Sequence, residues 1–302
     1  MKKVIVTGAN GYLGQQLIVQ LIEHGYFVYA LIRSNKKPID HENINYIQYD
    51  LSKEIVDIEH FISPSIDGIF HFAWDGAYGE KREDYLTQIK NIKQDYHVVE
   101  MAKKVNCKRI IYAASIFEYE MMNELSQHLP GTSSMYALSK FYAHAMIKKL
   151  AKQERIDFVS GIISNTYGGD IDSPRFIHYC IRQMAQQKEG DFSSGLQAYD
   201  VIHIKDAANM FIQLFEKGIS SNEYYIGNGE VKTLKEYIEK IQMIVNPEFK
   251  INFGVVKETG HRIDYSLFDL KQIEIELGYK YQISFDEGIR DLLSQIEVQN
   301  ED

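Results

Sequence analysis

Along the first half of the chain, short apolar runs alternate with stretches whose apolar residues recur at helical spacing. Val4-Ile5-Val6 leads into a glycine turn and the periodic segment Tyr12 to His24, and Phe27 to Ile32 is a second apolar run rich in β-branched and aromatic residues. Asn45 to Tyr49, Gly68 to Phe72, Lys108 to Tyr112 and Phe158 to Ile163 read as further strands, with long helices over Arg82 to Val105 and Met135 to Gln153. Near-continuous apolar strands separated by helices predict a parallel sheet buried on both faces, and right-handed crossovers make it doubly wound.

After about Gly168 the rhythm changes. Helical stretches near Ser173–Gln187, Lys205–Lys217 and Thr233–Val245 mix with short strands such as Val201–Ile204 and Tyr224–Ile226. The expected organisation is an α/β core over 1–168 and a smaller C-terminal α/β substrate lobe over 169–302, some of whose segments return to the core. No Gly/Ser/Pro-rich linker divides them, and the polar tail from Glu297 is expected to fray.

Composition narrows the function classes. With 302 residues, 45% apolar and 25% charged, the chain has the mix of a folded enzyme. A net charge of −9 supplies no basic field for nucleic acid or an anionic membrane, so neither is an expected partner. Two cysteines suit a reducing compartment, and His71, His203 and His261 lack metal-ligand spacing, so no metal is expected. No apolar run approaches a signal-peptide core or a membrane span. A cytoplasmic protein acting on small molecules is the expectation.

Thr7-Gly8-Ala9-Asn10-Gly11-Tyr12-Leu13-Gly14 lies between the first strand and the first helix. One glycine permits the tight turn, another lets backbone approach a pyrophosphate, and the third lets helix and strand pack closely. The phosphates then meet the positive end of the helix. A Rossmann-type dinucleotide site is expected, with Gly8, Asn10, Gly11, Tyr12, Leu13 and Gly14 at the cofactor. Where an acidic residue would accept hydrogen bonds from the ribose of NAD, this chain has Arg33, followed by Ser34, Lys36 and Lys37. A guanidinium suits a 2′-phosphate, so NADP(H) is preferred, with NAD(H) still open because the same residues also read as a solvated basic loop.

Tyr136 and Lys140 are spaced to share one helix face. A nearby ammonium and the positive ring of an oxidised nicotinamide both favour phenolate, so the phenol's pKa is expected to fall below its usual value of about 10. Ser115 ends the strand that begins at Lys108, at the carboxyl edge where such sheets bind ligands.

Together these pieces resemble an extended short-chain dehydrogenase/reductase of the nucleotide-sugar epimerase/dehydratase/reductase group. The motifs carrying the resemblance are the glycine turn, Asp50-Leu51, His71-Phe72-Ala73, Asn91, Ser115 with Tyr119, Tyr136-Ala137-Leu138-Ser139-Lys140, Asn165-Thr166-Tyr167-Gly168 and Asp200-Val201-Ile202-His203-Ile204-Lys205-Asp206. The resemblance implies that Ser115, Tyr136 and Lys140 are catalytic and that Asp50 and Leu51 flank adenine. It places Phe72, Ala73, Asn91, Ala113 and Ile163 along the cofactor groove, with Lys140 also reaching the nicotinamide ribose. Trp74, Phe117 and Asn165 are expected near substrate, and Arg262 at its diphosphate.

Departures from the pattern select among chemistries. The Asp-Glu pair that serves dehydration is replaced by Ile116-Phe117, and Phe117 stands where the epimerase-reductases carry a cysteine. The resemblance thus implies NADPH-dependent reduction of a keto group on a nucleotide-activated sugar, as in a 4-keto-6-deoxy sugar reductase. An NAD-dependent nucleotide-sugar 4-epimerase shares the same three residues. A small-carbonyl reductase and a catalytically inert dinucleotide sensor are further alternatives.

On the helix from Arg82, Tyr85, Ile89, Ile92, Tyr96 and Val99 form a stripe expected to face the core. A second strip, with Tyr142 and Met146, is the expected seam of a homodimer.

Overall fold

The computed structural model describes residues 1–53, 58, 62, 65–127, 133–188, 190–257 and 263–301. Val4, Ile5 and Val6 lose all solvent contact in β1 (Lys3–Thr7), an interior strand of a seven-stranded sheet. Around it lie β2 (Phe27–Ile32), β3 (Ile44–Gln48), β4 (Gly68–His71), β5 (Arg109–Ser115), β6 (Asp157–Ile163) and β11 (Glu223–Ile226), in the order β11-β6-β5-β4-β1-β2-β3. β1 pairs in parallel with both β2 and β4, and β2–β3, β4–β5 and β5–β6 are parallel too. The strand order reverses between β1 and β4, so their carboxyl ends open the crevice where doubly wound sheets bind ligands. This is the expected Rossmann-type fold.

Helices α1 (Tyr12–Glu23), α2 (Tyr85–Lys104), α3 (Glu118–Gln127) and α4 (Met135–Gln153) connect these strands. The helix expected from Arg82 begins later, because Glu80–Arg82 forms a separate 3-10 turn and Asp84 caps α2 by accepting from the Leu86 amide. β5 runs three residues beyond its expected end, to Ser115.

The chain divides into two compact units, Met1–Ile163 with Ala208–Tyr225, and Ser164–Ala207 with Ile226–Asp302. The boundary therefore falls at Ile163, not Gly168, and 208–225 joins the first unit. That segment takes in most of α6 (Ile204–Lys217) and β11, the strand read from sequence as part of the smaller lobe. Tyr224 and Ile226 are fully buried, as a strand covered on both faces requires.

In the second unit, short strands β7 (Asn165–Tyr167), β8 (Asp191–Phe192), β9 (Ala198–Tyr199), β10 (Val201–His203), β12 (Lys232–Thr233) and β13 (Asn252–Phe253) form three two-stranded pairs. With them stand α5 (Phe176–Ala185), α7 (Leu234–Val245) and α8 (Phe285–Glu301), which carries the tail expected to fray as helix to Glu301. Its core gathers Tyr167, Ile181, Met184, Tyr237, Ile241 and Leu292. Asp206, almost wholly buried, accepts from the Tyr279 hydroxyl and from the amides of Gln282 and Ile283 at 2.8–2.9 Å. Three donors to one carboxylate satisfy its charge without a cation.

Candidate active site

The glycine turn works by exclusion. A side chain on Gly14 would meet the Gly8 carbonyl oxygen at 2.1 Å, and one on Gly8 would strike the Phe72–Ala73 backbone at 2.7 Å. Gly8 also has φ +68°, a backbone that L side chains rarely adopt. Gly11 caps α1 without a side-chain hydrogen bond, and no carboxylate stands in the first turn. The positive end of the helix is thus left to an anion.

Beside the turn lies a cavity of about 350 Å³ lined by Gly8, Asn10, Gly11, Arg33, Leu51, Phe72, Ala73, Trp74 and Asp75, among others. The glycine cradle, the open helix end and this cavity together suit the pyrophosphate and adenosine of a dinucleotide. Asn10 donates to Ser34 Oγ (3.3 Å) and to the Lys36 carbonyl (3.0 Å), fastening the turn to the basic loop. Arg33 holds Asp75 at 3.2 Å across the rim. Asp50 keeps its carboxylate below the usual range: burial acts against this, but hydrogen bonds from the Ser52 hydroxyl and amide prevail. Tyr12 and Leu13 open α1, both half-buried.

The crevice floor is built from polar side chains. Thr7 Oγ1 accepts from the amides of Phe72 and Ala73, each at 3.2 Å, and lies 2.7 Å from His71 Nδ1. With both lone pairs of the hydroxyl engaged, its proton goes to Nδ1. His71 therefore carries its own proton on Nε2 and donates it to Asp95 Oδ1 (2.8 Å). Asn91 spends its amide on Asp75, accepting from the Asp75 amide (3.0 Å) and donating to its carbonyl (2.8 Å). It bears on the groove through that loop. Gln88 accepts from the Trp74 indole (3.0 Å) and donates to the carbonyls of Gly76 and Lys81.

These contacts overturn the expected roll of α2. Tyr85, Ile89 and Tyr96 are exposed and Ile92 is half-buried, leaving only Val99 of the stripe fully in the core, while Gln88, Asn91, Gln94, Asp95 and His97 are buried. The loops after β3 and β4 present backbone groups and a histidine that need polar partners, and α2 turns its polar face to supply them.

Ser115, Tyr136 and Lys140 come together, each less than a tenth exposed. The Ser115 hydroxyl favours the ionised form of the Tyr136 phenol. It also accepts from the Phe117 amide (3.3 Å), while the Ser115 amide donates to Glu118 (3.0 Å), whose other oxygen pairs with His144 (2.8 Å). Ser134 caps α4 through the Ala137 amide, which puts Tyr136 in the first turn of the helix and Lys140 one turn further on. Lys140 donates to the Ala113 carbonyl (2.7 Å) and the Tyr112 hydroxyl (3.3 Å), with its ammonium 4.2 Å from the Trp74 ring centre. Trp74 and Phe117 both stand edge-on to Tyr136, with ring centres 6.0 and 6.3 Å away. Ile163 ends β6 directly opposite Ser115.

The acidified phenol expected from sequence is not what the chain's own groups produce. Burial pushes the Tyr136 phenol up, and the Ser115 hydroxyl and the Arg82 charge only partly offset this. Burial lowers Lys140 against the opposing charges of Asp95 and Glu118.

Asn165 belongs to the second unit, where it starts β7 and donates to the Asp200 carbonyl (3.0 Å). Arg262 and His261 lie outside the described residues. Among the described residues no group of His, Cys, Asp or Glu could hold a metal, and no helix is long and apolar enough to cross a membrane. Sequence reasoning missed Thr7, Arg82 and Asp95, whereas Asp75 was read beside Trp74 as a residue after β4 bordering the site. Only Thr7 carried a signal, as a hydroxyl at the end of β1 facing the turn.

Comparison with known proteins identifies the family. The model of the NAD dependent epimerase/dehydratase family matches residues 4–227. CDP-abequose synthase of Salmonella muenchen is 27% identical, covering 98% of both chains. dTDP-4-dehydro-6-deoxyglucose reductase of Escherichia coli is 25% identical, covering 97% of both. Among solved structures, the Bordetella bronchiseptica enzyme WbmF in complex with NAD+ and UDP shares the fold, with a TM-score of 0.78 and 19% identity over 99% of this chain and 93% of that one. The chain belongs to the NAD dependent epimerase/dehydratase family and is an NAD(P)-dependent enzyme of the extended short-chain dehydrogenase/reductase type.

Proposed function

We propose that this enzyme reduces a keto group on a nucleotide-activated sugar, with NADPH as reductant and Tyr136 as proton donor. The observation that carries the reading is the buried junction of Ser115, Tyr136 and Lys140 beside the glycine-lined cavity. Gly8, Gly11 and Gly14 would seat the pyrophosphate, Leu51 the adenine and Arg33 the 2′-phosphate. The dinucleotide supplies the hydride. As negative charge develops on the carbonyl oxygen, Tyr136 gives its proton to that oxygen and Ser115 holds it by a hydrogen bond. Lys140 stabilises the phenolate that remains.

Two features favour reduction over dehydration. Ile116 and Phe117 follow Ser115 with no acid or base, and the next carboxylate, Glu118, is engaged by the Ser115 amide and His144. The names of the two curated relatives, CDP-abequose synthase and dTDP-4-dehydro-6-deoxyglucose reductase, support the same reading. The test is to mix the purified chain with a nucleotide-linked 4-keto-6-deoxy sugar and either reduced cofactor. The expected result is one cofactor oxidised per sugar reduced, faster with NADPH. Tightly retained NAD with inversion at C4 and no net cofactor oxidation would replace this reading with 4-epimerisation.

The exposed apolar residues of α2 (Tyr85, Leu86, Ile89 and Tyr96), with Tyr142 and Met146 on α4, support a homodimer through these helices. Replacing both Ile89 and Met146 with Asp should yield a monomer in sedimentation. An unchanged dimer would exclude this face.

A further inference from the structure

One more cation stands against the phenol. Arg82 closes the Glu80–Arg82 turn, and its guanidinium lies 4.3 Å from the Phe117 ring centre and 4.7 Å from that of Tyr136. Both distances fall within cation–π reach of about 6 Å. Nη1 donates to the Ala77 carbonyl at 3.4 Å, and Nη2 lies 3.9 Å from the buried carboxylate of Glu120. The Ser134 hydroxyl reaches the other oxygen of Glu120 (3.5 Å), and the Met135 amide donates to Glu83 (3.2 Å). The segment bearing Arg82 is thus fastened to the residues immediately ahead of Tyr136.

We propose that Arg82 is a positioning residue for Tyr136: its stacked guanidinium fixes the plane of the phenol and keeps a permanent positive charge where the phenolate forms. The inference rests on Tyr136 being the proton donor. The groups facing the phenol are Ser115 from β5, Glu118 from α3, Tyr78 and Arg82 from the segment after β4, and Lys140 one turn along α4. Glu118 is engaged by His144 and the Ser115 amide, and the Lys140 ammonium by Ala113 and Tyr112. Arg82 alone among these charges lies over the ring itself. Burial raises the phenol, and the guanidinium acts in the opposite direction. An arginine suits this place because it stays charged at any working pH and stacks flat on aromatic faces.

The test needs no turnover. The full chain is labelled with fluorotyrosine, the Tyr136 signal is identified by its loss in Tyr136→Phe, and its titration is followed by fluorine NMR with and without NADP+. Arg82→Met keeps the aliphatic bulk and removes the charge, and is expected to move the midpoint upward by about one pH unit. Arg82→Lys, which keeps the charge but not the stack, should move it less than half as far. An unchanged midpoint in Arg82→Met overturns the proposal. Arg82→Gln takes its place if the methionine variant does not fold. Failure of wild-type NADPH oxidation would sink the reductase reading alone, whereas an unmoved midpoint beside full reductase activity would sink only the role of Arg82.

Discussion

The two ends of the crevice are made of different material. At the glycine end the working surface is backbone: Gly8, Gly11 and Gly14 matter for what they lack, and Arg33 reaches in from an exposed rim. At the tyrosine end the surface is side chain, with Ser115, Tyr136 and Lys140 buried among Trp74, Phe117 and Tyr112. On the proposed reading the first end selects by shape and places a ligand, and the second tunes charge, which a low-dielectric setting amplifies. Substitutions should therefore separate binding from chemistry.

The largest separation is expected from Tyr136→Phe. Turnover should fall by about 10²–10⁴-fold while dinucleotide affinity by calorimetry stays within about threefold, because only the proton donor is lost. Turnover close to wild type would dissolve the distinction. Gly14→Ala should do the reverse. Forcing a methyl group against the Gly8 carbonyl costs about 1–3 kcal/mol, seen as a lower melting temperature and roughly tenfold or greater loss of dinucleotide affinity.

A pH profile tests the same contrast more gently. Burial lowers the Lys140 pKa, so its ammonium is lost at a lower pH than an exposed lysine's as pH rises. On the proposed mechanism the protonated form stabilises the phenolate, so kcat should decline by a few-fold as pH rises, ahead of the range in which an exposed lysine deprotonates, while affinity through the glycine turn and the always-charged Arg33 stays nearly flat. A flat kcat would show that Lys140 holds no charge that matters. The smallest effect is expected at the rim. Asp75→Asn frees Arg33 from an exposed ion pair of about 0.2–1 kcal/mol, raising NADPH affinity by at most about fivefold and leaving NADH unchanged.

Much of this was legible beforehand, for identifiable reasons. The glycine turn announces itself because three glycines between a strand and a helix answer a local steric need, and Tyr136 with Lys140 because helical spacing fixes a shared face. Ser115 was placed by the strand before it. Arg82 was invisible, since its position depends on the path of the segment between β4 and α2, where no periodicity operates. Asp95 was missed together with the roll of α2. An apolar stripe ordinarily points inward, but Gln88, Asn91, Asp95 and His97 each answer a hydrogen-bonding group that only the folded loops reveal. Segments of the C-terminal part were expected to return to the core, but sequence order hides which ones: it is 208–225 that returns, bringing β11 to the edge of the sheet.

The inverted roll of α2 has a consequence for handling the protein. An exposed apolar face of this kind ties cohesion to mass action wherever copies pair through it. If two copies meet there, the midpoint of thermal denaturation should climb as the solution is made more concentrated, and dilution alone should loosen the floor beneath Trp74.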